Sequence, residues 1–149
     1  MNISFLGNWR KRHSAARGTA LAVAQESDPE GVAQLLSECE LLRARAASAG
    51  VELDDTPASL EALDQLQPRW RDHPDDPDEL TWLGNDAGLY LGTVVVRTVP
   101  GARWQLWPDE RPVVRLGSGR EVDVVEAGLQ WAAVGVPELS QLYAEVAEG

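Results

Sequence analysis

The most apolar part of the chain includes residues 82–99, where apolar side chains recur at a helical period. Asn85 suits the start of a helix there, and Pro100-Gly101 suits its end. A strand is the alternative, because residues 93–96 are all β-branched and stiff at χ1. We predict a helix, since a strand would have to hold two glycines in its interior. The apolar face of this helix comprises Leu83, Ala87, Tyr90, Leu91, Val94, Val95 and Val99.

The two glycines, Gly88 and Gly92, lie one helical turn apart. Without side chains on this side of the helix, another backbone or an aromatic ring can approach closely. The same spacing marks the dimer face of some membrane helices. The apolar run is far shorter than the ~20 residues that a membrane span needs. We therefore predict that the glycines serve packing within the fold.

Two helices are predicted before the central one. A capping box from Ser27 to Glu30 begins an amphipathic helix that runs to Gly50. A second, shorter helix begins around Thr56-Pro57 and ends before Pro68. The apolar face of the first comprises Val32, Leu35, Leu36, Cys39, Leu42 and Ala46.

Alternating apolar and polar positions predict strands after the central helix. Residues 102–107 form one strand, with Trp104 and Leu106 on one face and Trp107 on the other. Residues 113–116 form the next, and the turn between them makes the two an antiparallel hairpin.

A third strand is predicted at residues 121–125, followed by a helix that Gly135 ends and a last helix that begins at Pro137. The fold class is therefore α+β, with several helices packed on one face of a small antiparallel sheet. At 149 residues the chain fits one such domain, which we place at 27–149. Residues 1–26 form a basic N-terminal arm and linker.

Charge is distributed unevenly along the chain. Residues 1–17 carry four basic side chains and no acidic one, a formal +4, and the remaining residues carry −15, which gives the net −11. A body this acidic repels phosphate backbones, so we exclude nucleic acid as a partner. Only one of the 13 basic residues is lysine, a bias typical of a GC-rich bacterial genome.

The N-terminal arm sets Phe5 and Trp9 beside Arg10 and Arg12. Aromatic residues next to basic ones suit an anionic membrane surface, and they equally suit an acidic protein partner. The third alternative is that the arm packs on its own domain. The apolar run at residues 19–24 is too short for a secretory signal, so we expect a cytoplasmic protein.

Catalytic and metal-binding motifs are absent from the sequence. The single cysteine, Cys39, lies on an apolar helix face, and the two histidines, His13 and His73, lie in no motif. The acidic run at 72–79 lacks the glycine and the ligand spacing of an EF-hand, so we interpret it as a solvated loop. We expect no metal and no cofactor. A hydrolase with paired carboxylates stays a third hypothesis, with acids drawn from Asp86, Glu121, Asp123 and Glu126.

Several segments resemble a family of short acidic actinobacterial proteins, mainly from streptomycetes, that forms a domain of unknown function. The resemblance lies in Gly88-Leu89-Tyr90-Leu91-Gly92, in residues 100–104 and 119–125, and in residues 8–12 and 36–40. It implies no activity, cofactor or catalytic residue. The glycine-bounded helix followed by a strand tryptophan is also similar to small bacterial immunity or regulatory domains, which often have Glu where this chain has Thr93. That likeness implies an α+β interaction domain.

The preferred hypothesis is a non-catalytic cytoplasmic protein-interaction or regulatory module, whose partner is another protein or a second copy of the chain. The alternative is a peripheral membrane protein that docks through its arm. Polar residues of the apolar zone are predicted to form structural ion pairs or to line a cleft beside the aromatic residues: Asn85, Asp86, Arg97, Arg103 and Arg115. Tryptophan and arginine together are typical of interface hot spots. The predicted partner-binding residues are Phe5, Trp9, Arg10, Arg12, Tyr90, Arg103, Trp104 and Trp107.

Overall fold

The structure, a computed structural model, describes residues 29–72, 77–108 and 111–148. Within these ranges the chain forms six helices and a three-stranded antiparallel sheet of order β1-β2-β3, which confirms the predicted α+β class. The elements are α1 (Pro29–Leu36), α2 (Glu40–Ser48), α3 (Pro57–Asp72), α4 (Pro77–Thr98), β1 (Arg103–Leu106), β2 (Pro112–Arg115), β3 (Glu121–Val122), α5 (Val124–Val134) and α6 (Leu139–Ala147).

Helix α4 is the predicted central helix, but it begins earlier than the sequence suggested. Asn85 lies inside the helix, and the first residue is Pro77. Proline suits the first turn of a helix because its missing N–H would have no partner there. Asp78 and Glu79 follow in that turn, where carboxylates interact favourably with the helix dipole. The end of the acidic run is therefore helical, and its interpretation as a loop was wrong for these residues.

The glycines of α4 allow close packing, as predicted. A Cβ on Gly88 would overlap the carbonyl oxygen of Val124 at the start of α5, and one on Gly128 of α5 would meet the backbone of α4. Helices α4 and α5 thus touch backbone to backbone. One turn further along α4, a Cβ on Gly92 would overlap the indole ring of Trp104. Gly88 thus makes room for the backbone of α5, and Gly92 makes room for the ring of Trp104.

The first predicted helix is in fact two helices, α1 and α2. The chain breaks at Cys39, whose φ of 42° is in the left-handed region and whose side chain makes no cap hydrogen bond to α2. The cap for α2 comes from α4, where Asp86 Oδ2 accepts a hydrogen bond from the Leu42 N–H at 3.1 Å. The carboxylate thus replaces the local cap that the sequence lacks.

Helix α3 continues past Pro68 to Asp72, whereas the sequence predicted that it would end before the proline. The proline removes the N–H that would bond the carbonyl of Asp64 one turn earlier. The continuation brings Trp70 against Trp131 of α5 with the ring centroids 6.5 Å apart and the planes at 84°. An edge-to-face contact of this kind stabilises the last turns of α3.

Asp64 of α3 joins three helices through its carboxylate. Oδ1 accepts from Trp131 Nε1 at 2.9 Å and from the Leu139 N–H at 2.8 Å. Oδ2 accepts from the N–H of Ser140 at 3.1 Å and from its hydroxyl at 2.6 Å. Since Leu139 and Ser140 begin α6, the carboxylate is the N-terminal cap of that helix, whose own flanking residue makes no side-chain cap bond.

The sheet follows the predicted hairpin closely. Trp104 pairs with Val114, and Val114 pairs with Val122, so these three side chains share the face that joins the core. The third strand is shorter than predicted and ends at Val122. Asp123 caps α5 instead, accepting a hydrogen bond from the Glu126 N–H at 3.1 Å.

Candidate interaction surface

The outer face of the sheet holds the side chains that alternate with the core residues. In the register of the three strands, Arg103 lies opposite Arg115, and Arg115 lies opposite Glu121. We call this face the sheet surface. Its residues are Arg103, Gln105, Trp107, Val113, Arg115 and Glu121.

Trp107 makes one backbone and one side-chain hydrogen bond to described residues of the sheet and its turn. Its backbone N–H donates to the Arg111 carbonyl at 3.0 Å, which extends the β1–β2 pairing by one row. Its indole Nε1 donates to Glu121 Oε2 at 3.2 Å. Glu121 is on the far strand, so the indole has to cross β2, where Val113 is fully buried although it faces away from the core cluster. The result is a half-buried tryptophan with a defined orientation.

Arg103 and Arg115 form a cross-strand pair of like charges, which is unfavourable in an antiparallel sheet. Arg115 Nη1 makes one long bond to Gln105 Oε1, at 3.4 Å. Glu121 is opposite Arg115, yet its hydrogen bond goes to Trp107. Among the described residues, neither arginine has a carboxylate oxygen within the 4.0 Å of an ion pair.

A third arginine, Arg111, forms an ion pair at the border of this surface. Arg111 Nη1 binds Asp123 Oδ2 at 2.7 Å, while Asp123 Oδ1 caps α5. One carboxylate therefore ties the sheet to the helix that follows it. The position of the sheet surface relative to helix α5 is therefore fixed in part by Asp123.

The predicted partner-binding residues are divided by the structure. Arg103 and Trp107 lie on the sheet surface. Tyr90 and Trp104 are core residues with exposed fractions of 0% and 5%, so a partner would have to open the core to touch them. Their role in binding stays a prediction. The remaining four lie outside the described residues, as does the arm to which they belong: Phe5, Trp9, Arg10 and Arg12.

Sequence reasoning did not single out Gln105 or Glu121 for this surface. The signal was present in the alternation of the strands, since every second residue from Arg103 onward must share its face. The register of the three strands could not be predicted from the sequence. It places Glu121 two strands away from Arg103 and within reach of the Trp107 indole.

A different polar cluster surrounds Tyr90 and is internal. Arg43 lies over the Tyr90 ring at 5.2 Å and binds Asp55 Oδ1 and the Leu53 carbonyl, each at 3.0 Å. The tyrosine hydroxyl accepts the Asp55 N–H at 2.8 Å and shares a hydrogen bond with Ser59 at 2.7 Å. Burial raises the pKa of Tyr90. The cluster holds the α2–α3 connection onto α4.

Arg97 and Asp86 were predicted to form structural ion pairs or to line a cleft. Arg97 does form an ion pair, with Nε 3.4 Å from Asp55 Oδ2 at the rim of the Tyr90 cluster. Asp86 is fully buried and caps α2. Next to it, burial and the Asp86 charge raise the pKa of the Cys39 thiol well above its ordinary value, so the thiol stays protonated.

The described residues contain no group of three or more His, Cys, Asp or Glu side chains that would hold a metal ion. None of the helices described for this chain has the length and apolar character needed to cross a membrane. A shallow, open depression lies between α2 and the segment after it, lined by Arg43, Ala47 and residues 50–53. The Arg43 guanidinium beside it is already bound by internal acceptors.

Comparison with known proteins gives one result. Residues 1–149 match the model of DUF6278, which is described as a family of unknown function. No curated protein and no solved structure matches the chain. The predicted kinship with a domain of unknown function is thereby confirmed, and the chain belongs to the family DUF6278.

Proposed function

We propose that this protein is a non-catalytic interaction module and that the sheet surface contacts a partner protein. One observation carries the proposal: a half-buried Trp107 shares one face of the sheet with Arg103 and Arg115, and neither arginine forms an ion pair with a carboxylate of the described residues. Tryptophan and arginine are the residues most enriched at interface hot spots. An indole whose orientation is already set loses little conformational entropy when a partner binds.

The composition of the chain supports a protein partner over nucleic acid, since a net charge of −11 opposes contact with phosphate backbones. We extend the proposal to a cytoplasmic module of actinobacterial origin. The presence of a single lysine among 13 basic residues supports a source with a GC-rich genome. Membrane docking through the N-terminal arm stays a prediction that no described residue bears on.

Site-specific photocrosslinking tests the proposal directly. Gln105 is at the centre of the sheet surface, and Gln65 is an exposed glutamine on α3 that serves as the matched control. Each is replaced by p-benzoylphenylalanine in the full chain, and crosslinked products are compared by mass spectrometry after irradiation of producing cells.

We expect a protein adduct from Gln105→p-benzoylphenylalanine that is missing from the Gln65 variant. Adding Trp107→Ala to the Gln105 variant should remove the same adduct. The proposal fails if both positions give the same products, or if the Gln105 position gives none while the protein is folded and produced at normal levels.

A further inference from the structure

We infer that the Arg103–Arg115 pair recognises carboxylates of an acidic segment in the partner protein. This inference rests on the proposed function and names the chemistry of the partner. Four observations support this inference: the register of the two arginines, the lack of an ion pair between them and any described carboxylate, the tryptophan on the same face of the sheet, and the acidic charge of the rest of the chain.

The register places the two guanidinium groups within reach of one carboxylate. Residues directly opposite in an antiparallel pair have Cβ atoms about 4.5–5.5 Å apart. Arg103 and Arg115 are such a pair, and both side chains leave the same face of the sheet. Each guanidinium presents a planar fork of N–H donors that matches a carboxylate with two parallel hydrogen bonds.

Among the described residues, no carboxylate forms an ion pair with either arginine. Glu121 is the carboxylate opposite Arg115, but it accepts the indole N–H of Trp107. Gln105 offers Arg115 only a neutral amide oxygen, at 3.4 Å. Two like charges placed opposite each other cost stability. A carboxylate from outside would relieve that repulsion and gain charge-assisted hydrogen bonds at the same time.

The surroundings favour an acidic peptide among anionic partners. Nucleic acid carries a dense line of phosphates, which the −11 charge of the chain repels over its whole length. A short acidic segment has few charges, and beyond about 8 Å physiological salt screens it from the acidic body. The half-buried Trp107 offers an apolar contact on the same face of the sheet as the arginine pair. The expected ligand is therefore one or two acidic side chains next to an apolar one.

Panning a random-peptide display library on the full chain tests the inference. We expect the selected peptides to be enriched in Asp and Glu and to contain an apolar residue. One selected peptide is then synthesised with a fluorescent label, together with a version in which Gln and Asn replace its acids, and binding is measured by fluorescence anisotropy.

The double variant Arg103→Ala/Arg115→Ala should weaken binding of the acidic peptide at least about tenfold, the effect of losing one or two charge-assisted hydrogen bonds. The neutral peptide should bind the unaltered protein as weakly as the acidic peptide binds the double variant. Arg103→Lys/Arg115→Lys should give an intermediate loss, because lysine keeps the charge without the planar fork. Arg69→Ala, which removes an exposed arginine from α3, is the matched control and should bind normally.

The inference is overturned if selection shows no acidic enrichment, if the double variant keeps full affinity, or if labelled single-stranded RNA binds in place of the peptides. It is also overturned if sedimentation shows a dimer that the double variant abolishes, since a second copy would then occupy the surface. A Gln105 adduct that persists in the double variant would reject acidic recognition and leave the proposed function standing.

Discussion

The side chains of Trp104 and Trp107 lie on opposite faces of the sheet, although the two residues are only three positions apart. Their surroundings are different. Trp104 fits into the space above Gly92, where only a residue without a side chain leaves room for the ring. Trp107 lies across the outer face of the sheet, where its indole N–H donates a hydrogen bond to Glu121. The inner tryptophan is positioned by close packing, whereas the outer one is positioned by a single polar contact.

This difference separates stability from recognition within one short segment. Close packing is costly to lose because the space left behind cannot collapse fully. A hydrogen bond at the surface contributes little, since water replaces it when it breaks. Substitutions on the inner face should therefore affect folding, and substitutions on the outer face should affect binding.

The largest effect is expected for Trp104→Ala, which should lower the free energy of unfolding by about 3–5 kcal/mol. Chemical denaturation of the full chain measures it. Gly92→Ala should also destabilise, because the new methyl group meets the ring. In the double variant the methyl group enters the space that the ring has vacated. The double variant should therefore lose less unfolding free energy than the sum of the two single losses. Simple additivity would mean that the two residues do not pack against each other.

A smaller effect is expected for Trp107→Ala, about 1 kcal/mol of unfolding free energy, from one exposed hydrogen bond and the partial uncovering of Val113. Partner capture should be lost although the fold persists. Trp107→Phe keeps an aromatic ring and removes the N–H donor, so it shows whether orientation matters. A loss of stability as large as that of Trp104→Ala would contradict the contrast between the two faces.

The smallest effect, and one of opposite sign, is expected for Arg103→Glu. The new carboxylate lies opposite Arg115 and replaces a repulsion by an attraction, so the free energy of unfolding should rise by about 0.2–1 kcal/mol. Binding of acidic peptides should fall. Higher stability with lower binding would show that the arginine pair is retained at the expense of stability. A destabilised variant would mean that the two arginines do not repel each other.

The sequence predicted the α+β class, the central helix, its packing glycines and the hairpin, because each depends on local periodicity or on residues close in the chain. It missed the break at Cys39 and the start of α4 at Pro77. The apolar face of α1 and α2 continues through Cys39 without interruption. The buried Asp86, far along the chain, supplies a cap hydrogen bond for the second helix start there.

The sequence predicted only part of the candidate surface, because the surface depends on how distant strands pair. Arg103 and Trp107 are conspicuous by residue type, but so are Tyr90 and Trp104, which are buried. Residue type alone does not distinguish an aromatic side chain that packs from one that binds. The register of three strands makes that distinction, and it becomes known only when the strands are paired.

The carboxylate of Asp64 has a consequence for how the chain folds. Helix α6 begins with N–H groups that are satisfied by a residue of α3, far away in sequence. A peptide containing α6 alone lacks this cap and is too short to be helical in water. The C-terminal helix therefore gains its full stability only when α3 is in place. Its amide protons should exchange with solvent together with those of α3, as one cooperative unit.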